Sequence, residues 1–161
     1  MQSRLQIEPF SDALAPYFER INAQWINAMF TLEEVDKRVL RHPQTEIIAH
    51  GGKIWFAVHP TLGVVGTCAL LHKGDGHFEL TKMGVIDTAR GLKVGEALLQ
   101  YVIAQALTMP VQSLFLLTNK DCAAAIHLYE KNGFVHSLDV MRTYGQSYAR
   151  CNVAMSYPIK S

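Results

Sequence analysis

The sequence predicts an α/β fold of the mixed α+β kind. Its sheet is mixed but mostly antiparallel, contains one parallel strand–helix–strand unit and carries helices on both faces. Three observations lead there. Runs of β-branched and aromatic residues between Lys53 and Leu71 are bounded by Gly51-Gly52, Pro60-Thr61-Leu62-Gly63 and Gly74-Asp75-Gly76, which are hairpin separators. From His77 to Thr118 the apolar pattern passes from strand period to helix period and back to a short apolar run, so those two strands should lie parallel with a right-handed crossover. Amphipathic helical spacing near the start, middle and end of the chain supplies helices for both faces.

In chain order, Arg4 to Glu8 alternates apolar and polar residues and suits a short first strand. Pro16 lacks a donor, so the first helix should start near it, with Phe18, Ile21, Trp25, Ala28 and Met29 on one face. Thr31-Leu32-Glu33-Glu34 has the form of a capping box, predicting a second helix with Val35, Val39 and Leu40 inward, stopped by His42-Pro43. Strands are expected at Thr45 to Ala49, Lys53 to Val58, Val64 to Leu71 and His77 to Val85. Leu92, Gly95, Leu98, Leu99, Val102, Ile103 and Ala106 repeat at helical spacing, and Pro110 follows. Leu114 to Leu117 reads as a strand covered on both faces, and Cys122 to Asn132 as a helix closed by Asn132-Gly133. A final hairpin is expected from strands near Phe134 to Val140 and Tyr148 to Tyr157.

The 161 residues fit one domain spanning 1–161, with no repeat, linker or low-complexity tract. Net charge +1 with scattered basic residues gives no nucleic-acid footprint, and the apolar stretches are too short to span a bilayer. The start lacks a signal-peptide pattern, so the expected location is cytoplasmic. Cys68, Cys122 and Cys151 form no CxxC pair, and the seven histidines show no HxxxH or HExxH spacing, so no metal site is expected. His72 and His77 flank a hairpin turn and either face each other across it or are solvated.

The chemistry concentrates where strand gives way to helix. Arg90-Gly91-Leu92-Lys93-Val94-Gly95 sits at that junction, and the first N–H groups of a helix are unpartnered and partly positive. The segment matches neither GxxxxGK[ST] nor GxGxxG, so nucleotide hydrolysis and Rossmann dinucleotide binding lose support. Gly95, inside the helical pattern, costs roughly 1 kcal/mol relative to alanine. Either a ligand approaches that first turn closely or the glycine lets the helix pack tightly on the sheet; spacing alone leaves both open.

The stretch KMGVIDTARGLKVGEALL, Lys82 to Leu99, resembles the GNAT superfamily of acetyl-CoA-dependent N-acetyltransferases. That family carries a strand followed by Gln/Arg-x-x-Gly-x-Gly/Ala at a helix start. A second family-like segment, AAAIHLYEKNGF from Ala123 to Phe134, follows at the expected distance. The resemblance implies a GNAT-like fold and acetyl-CoA as co-substrate without a metal. Met83, Gly84 and Val85 would pair their backbone with the pantetheine arm. Arg90 and the main chain of Gly91, Leu92, Lys93, Val94, Gly95 and Glu96 would hold the pyrophosphate. Tyr129 matches the general acid for the departing thiolate; with an ordinary pKa of about 10 it is a neutral donor at pH 7. Lys93 stands where the family has its central glycine, and Cys122 where it has an asparagine, leaving Asn119 as a substitute that could reach the cofactor.

Glu79, six residues before Val85, occupies the place of the base glutamate of histone-type members. Strand alternation would put Glu79, Thr81, Met83 and Val85 on one face. Each assignment has a plainer counterpart: Tyr129 as a core tyrosine, Glu79 as an exposed residue after a turn, with water taking the amine proton. Trp25, Phe30 and the alternating Tyr148, Arg150 and Asn152 are candidates for the acceptor site, or an ordinary outward strand face. The reaction implied is direct acetyl transfer to a primary amine, a small amine or amino acid being favoured. A protein lysine or N-terminal acetyltransferase and a non-catalytic acyl-CoA sensor are the alternatives. The chain is expected as a monomer or homodimer, without nucleic-acid or membrane partners.

Overall fold

The structure is a computed structural model and describes residues 4–159. Its sheet has seven strands in the order β1-β2-β3-β4-β5-β7-β6. β2 (Lys53–His59), β3 (Gly63–His72) and β4 (His77–Val85) form the antiparallel hairpins that the separators at 60–63 and 74–76 predict, and β1 (Gln6–Pro9) pairs antiparallel with the outer side of β2. β5 (Ser113–Thr118) runs parallel to β4 after helix α4 (Val94–Ala106), and β7 (Val153–Tyr157) returns antiparallel to β5 with β6 (Val135–His136) outside it.

Helices cover both faces. On one, Val94, Leu98, Leu99 and Val102 of α4 and Tyr129 of α5 (Ala123–Lys131) pack with Phe78, Leu80, Leu114 and Leu116. On the other, Phe18 of α1 (Ala15–Met29) and Val39 and Leu40 of α2 (Glu34–Arg41) pack with Ile54, Phe56 and Ala69. Pro16 lies in the first turn of α1, where a missing N–H costs no helix bond. Gly133, at φ 106°, ends α5 as the Asn132-Gly133 pair predicts.

Three expectations fail, each for a local reason. Thr45 to Ala49 is not a strand: α3 (Pro43–Glu46) and a 3-10 turn, Ile48–His50, occupy it. Pro43 starts this turn, Ile47 N–H closes onto Pro43 O at 2.9 Å, and Ile47 is fully buried, so only one side of the short β-branched run needed covering. The box before α2 is Glu33 with Asp36, not Thr31 with Glu34; Asp36 accepts the Glu33 N–H at 2.9 Å. The final hairpin shrinks to β6 and β7, with α6 (Leu138–Tyr144) between them. Ser137 caps α6 by accepting the Val140 N–H at 3.1 Å, and Tyr144 stacks on Phe115 with ring centroids 4.1 Å apart. His72 and His77 also part company: His72 stacks on Phe78, and His77 Nδ1 lies 2.6 Å from Ser113 Oγ.

Two features position the site. β4 and β5 pair only where His77–Glu79 meets Ser113–Phe115; beyond that the sheet opens. In the same region β4 bulges against β3: Thr81 pairs with Ala69 but Gly84 with Thr67, one residue extra on β4. Lys82 at the bulge has φ 54°. The bulge reverses the face of every later residue, so the expected alignment of Glu79 with Met83 and Val85 is wrong. Glu79 and Lys82 face α1 and α2, whereas Met83 and Val85 pack on the α4 core.

Candidate functional site

The opening between β4 and β5 is a cavity of about 480 Å³. Leu80 to Val85 line one side and Leu116 to Asn119 the other; Tyr129, Tyr148 and Arg150 complete it with Trp25, Met29 and Phe30 from the end of α1. Of the residues the sequence singled out, Met83, Gly84, Val85, Arg90, Asn119 and Tyr129 line this one cavity. Gly91 to Glu96 form the adjoining loop and first turn of α4. Glu79 lies behind the wall, 1% exposed.

The β4 edge offers backbone groups to a ligand. Ile86 N–H donates to Val65 O at 2.9 Å, so by the alternation of an antiparallel ladder Val85, one residue back, turns its N–H and C=O away from β3 and toward the opening.

At the start of α4, the N–H groups of Lys93, Val94, Gly95 and Glu96 have no backbone acceptor among the described residues, and no side chain caps the helix. Gly91 (φ 86°) and Lys93 (φ 60°) turn the loop into the helix through left-handed backbone. Lys93 thus adopts the conformation its family's glycine takes easily, at roughly 1–2 kcal/mol for an L-residue. A Cβ added at Gly95 would lie 3.6 Å from Leu128 and 3.9 Å from Val85, ordinary contact, so tight packing does not explain this glycine. Arg90 pairs with Asp87 at 3.1 Å, and Glu96 with Lys131 at 2.9 Å, holding the Glu96 carboxyl below its ordinary pKa.

Tyr129 is 8% exposed, and its hydroxyl has no hydrogen-bond partner among the described residues. Burial, with Cys68 and Cys122 nearby, pushes its pKa well above the ordinary value, so it keeps its proton. Asn119 is largely committed within the chain: its Nδ2 donates to Arg150 O at 2.8 Å and its Oδ1 accepts the Asp121 N–H at 2.8 Å. Asn152 accepts the exposed Lys120 N–H, so it does not share the inward direction of Tyr148 and Arg150.

Behind the opposite wall lies a charge cluster that the sequence reading missed. Asp36 is fully buried and takes Arg150 through both terminal nitrogens, at 2.6 and 2.9 Å, and Lys82 Nζ at 2.9 Å. Burial pushes the Asp36 carboxyl up, but the Arg150 bonds, the Lys82 charge and the Glu33 N–H outweigh it and hold its pKa at about 2. Glu33 accepts the Ala149 and Arg150 N–H groups and the Arg150 guanidinium, fastening residues 149–150 to the start of α2. Tyr148 lies under Lys82 and Arg150, ring centroid 4.5 and 5.0 Å away, and its hydroxyl donates to Glu79 Oε2 at 3.2 Å. Glu79 Oε1 has no hydrogen-bond partner among the described residues. Burial raises the Glu79 pKa despite the Lys82 and Lys73 charges and the Tyr148 bond. One signal was available: a lysine amid the apolar run FELTKMGV needs a buried counter-charge.

A family model described as an acetyltransferase (GNAT) domain matches residues 50–136, more than half of the chain. The chain belongs to the GNAT family. Solved structures agree on the fold. A GNAT-family acetyltransferase from Staphylococcus aureus Mu50 superposes with a TM-score of 0.85 at 20% identity, over 98% of this chain and 100% of that one. PaiA N-acetyltransferase from Thermoplasma acidophilum, in complex with coenzyme A, gives 0.71 at 15% identity over 97% and 99%. N-acetylglutamate synthase from Neisseria gonorrhoeae, complexed with coenzyme A and N-acetyl-glutamate, gives 0.74 at 16% identity, over 100% of this chain but 36% of that one. No curated protein matches the chain in sequence. No helix among the described residues is long and apolar enough to cross a membrane.

Proposed function

We propose that this protein, acting as a single domain, is an acetyl-CoA-dependent N-acetyltransferase that transfers the acetyl group directly to a primary amine. The observation that carries the reading is one continuous path. It runs from the uncapped first turn of α4, along the open edge at Met83–Val85, to the Tyr129 hydroxyl, which has no partner among the described residues. Acetyl-CoA supplies an activated thioester when bound.

The chain's own groups divide the remaining work. The N–H groups from Lys93 to Glu96, with Arg90 and the Lys93 ammonium, meet the pyrophosphate charge; Gly91 and Leu92 shape the loop. Met83, Gly84 and Val85 hold the amide-rich arm as a strand would, and the outward N–H of Val85 suits a developing oxyanion. Asn119 supports the neighbouring loop and is secondary to these. Tyr129 holds the proton that the departing sulfur needs. Glu79 is the base, reached through Tyr148, which lines the cavity: the phenol oxygen would accept from the amine as its own proton moves to Glu79 Oε2. The raised Glu79 pKa suits this task.

The test is thiol release from acetyl-CoA across a panel of amines and peptides, with Tyr129→Phe alongside. The substitution should lower kcat by about 10²-fold or more while coenzyme A binding is kept. An unchanged rate would remove the general-acid role. Coenzyme A binding without turnover on any acceptor would favour a sensor, and failure to bind coenzyme A would end the reading.

A further inference from the structure

We infer that the acceptor is an amine with an apolar body and no carboxylate beside it; this rests on the N-acetyltransferase reading. The wall toward α1 is apolar. Trp25 lies so close to Gly84 that an added Cβ there would be 2.7 Å from its Cδ1, and Gly84 is the middle of the three residues proposed to hold the cofactor arm. The indole N–H is spent on Asn22 Oδ1 at 2.9 Å, and Asn22 Nδ2 is tied to Phe18 O at 3.0 Å. The ring is therefore held in place and offers only apolar surface. Met29, 47% exposed, and Phe30 continue that surface along the cavity.

The charges across from it are used up within the chain. Lys82, its side chain 2% exposed, is paired with Asp36. Both terminal nitrogens of Arg150 are engaged by Asp36 and Glu33. Arg90 and Asp121, the other charged residues lining the cavity, belong to the β4–α4 and β5–α5 loops. A carboxylate entering beside Trp25 would lose its water and gain no free cation among the described residues that line the cavity, whereas an aryl or alkyl group would leave water for Trp25, Met29 and Phe30. The amine itself meets the Tyr148 oxygen.

Matched pairs differing only by the carboxylate decide this: 2-phenylethylamine against phenylalanine, and tyramine against tyrosine. With acetyl-CoA as donor, kcat/KM should favour the decarboxylated member by at least about tenfold. Met29→Ser should raise the KM for 2-phenylethylamine severalfold with kcat unchanged, and leave methylamine unaffected. Equal or reversed preference within the pairs overturns the inference, as does an equal KM rise for methylamine. Calorimetric binding of the same amines to the protein–coenzyme A complex separates this from the parent reading. If no amine is acetylated, N-acetyl transfer falls, yet a preference in Kd for the decarboxylated members still supports the acceptor class, and equal Kd values still overturn it.

Discussion

Lys82 and Lys93 share an uncommon backbone, φ 54° and 60°, and almost nothing else. Lys82 is 5% exposed at the bulge of β4, its ammonium 2.9 Å from Asp36. Lys93 is exposed at the start of α4, with bare helix N–H groups beside it. Left-handed backbone costs each roughly 1–2 kcal/mol. At Lys82 the chain itself provides the compensation, a buried ion pair that anchors the bulge opening the sheet. At Lys93 no ion pair among the described residues compensates, and a bound anion is the proposed partner. The side of the cavity proposed for the acceptor is thus wired internally, while the side proposed for the cofactor keeps its helix N–H groups unsatisfied.

Breaking the wired side should have the largest effect. Asp36→Ala strands Arg150 and Lys82, and removing one partner of a buried ion pair costs about 3–5 kcal/mol, so the thermal midpoint should fall steeply. The same group sets an acid limit. Its folded pKa, about 2, lies below its ordinary 3.8, so its contribution is whole above pH 3.8 and lost as pH falls toward 2. Acid titration of wild type should show that loss, and Asp36→Ala should not.

Glu79→Gln gives a smaller effect of opposite sign on stability. A carboxyl whose folded pKa is raised contributes most below its unfolded pKa, ordinarily 4.5, and that contribution is lost as pH rises through the folded value. The glutamine variant should therefore melt higher than wild type at pH 8 while its kcat/KM falls and loses the rising limb of the pH profile. A variant that is both less stable and fully active would contradict the base assignment.

The smallest effect belongs to Lys93→Gly. Relief of the left-handed strain, less the greater freedom of unfolded glycine, should stabilise the protein by up to about 1 kcal/mol. Loss of the charge should weaken coenzyme A binding a few-fold at low salt and hardly at all at high salt. Loss of stability would mean that Lys93 has a partner in the free protein.

Much of the fold was legible because its signals are local. Gly63, Gly74 and Gly76 all take positive φ, and the hairpins they separate form where the pattern placed them. The period change at Arg90 to Val94 put the start of α4 correctly. Thr45 to Ala49 and the last hairpin misled because short β-branched or aromatic runs are ambiguous until something packs on them; Ile47 and Tyr144 found partners as parts of helical turns. Within the candidate site, the loop and Tyr129 could be read from spacing and family resemblance. The facing of Glu79 could not, since strand alternation cannot foresee a bulge.

By itself, the sequence determined the hairpins from β2 to β4, the run of elements from β4 to α5, the anion-ready start of α4 and the placing of Tyr129 one strand downstream, since turn chemistry, helix ends and periodicity act within a few residues. Only the tertiary structure decided that Asp36, Lys82, Tyr148 and Arg150 form one cluster, separated by as many as 114 positions. It alone also turned Glu79 away from the edge proposed to take the cofactor. Burial makes an unpaired charge prohibitive, so these groups chose their partners only once the chain had folded around them.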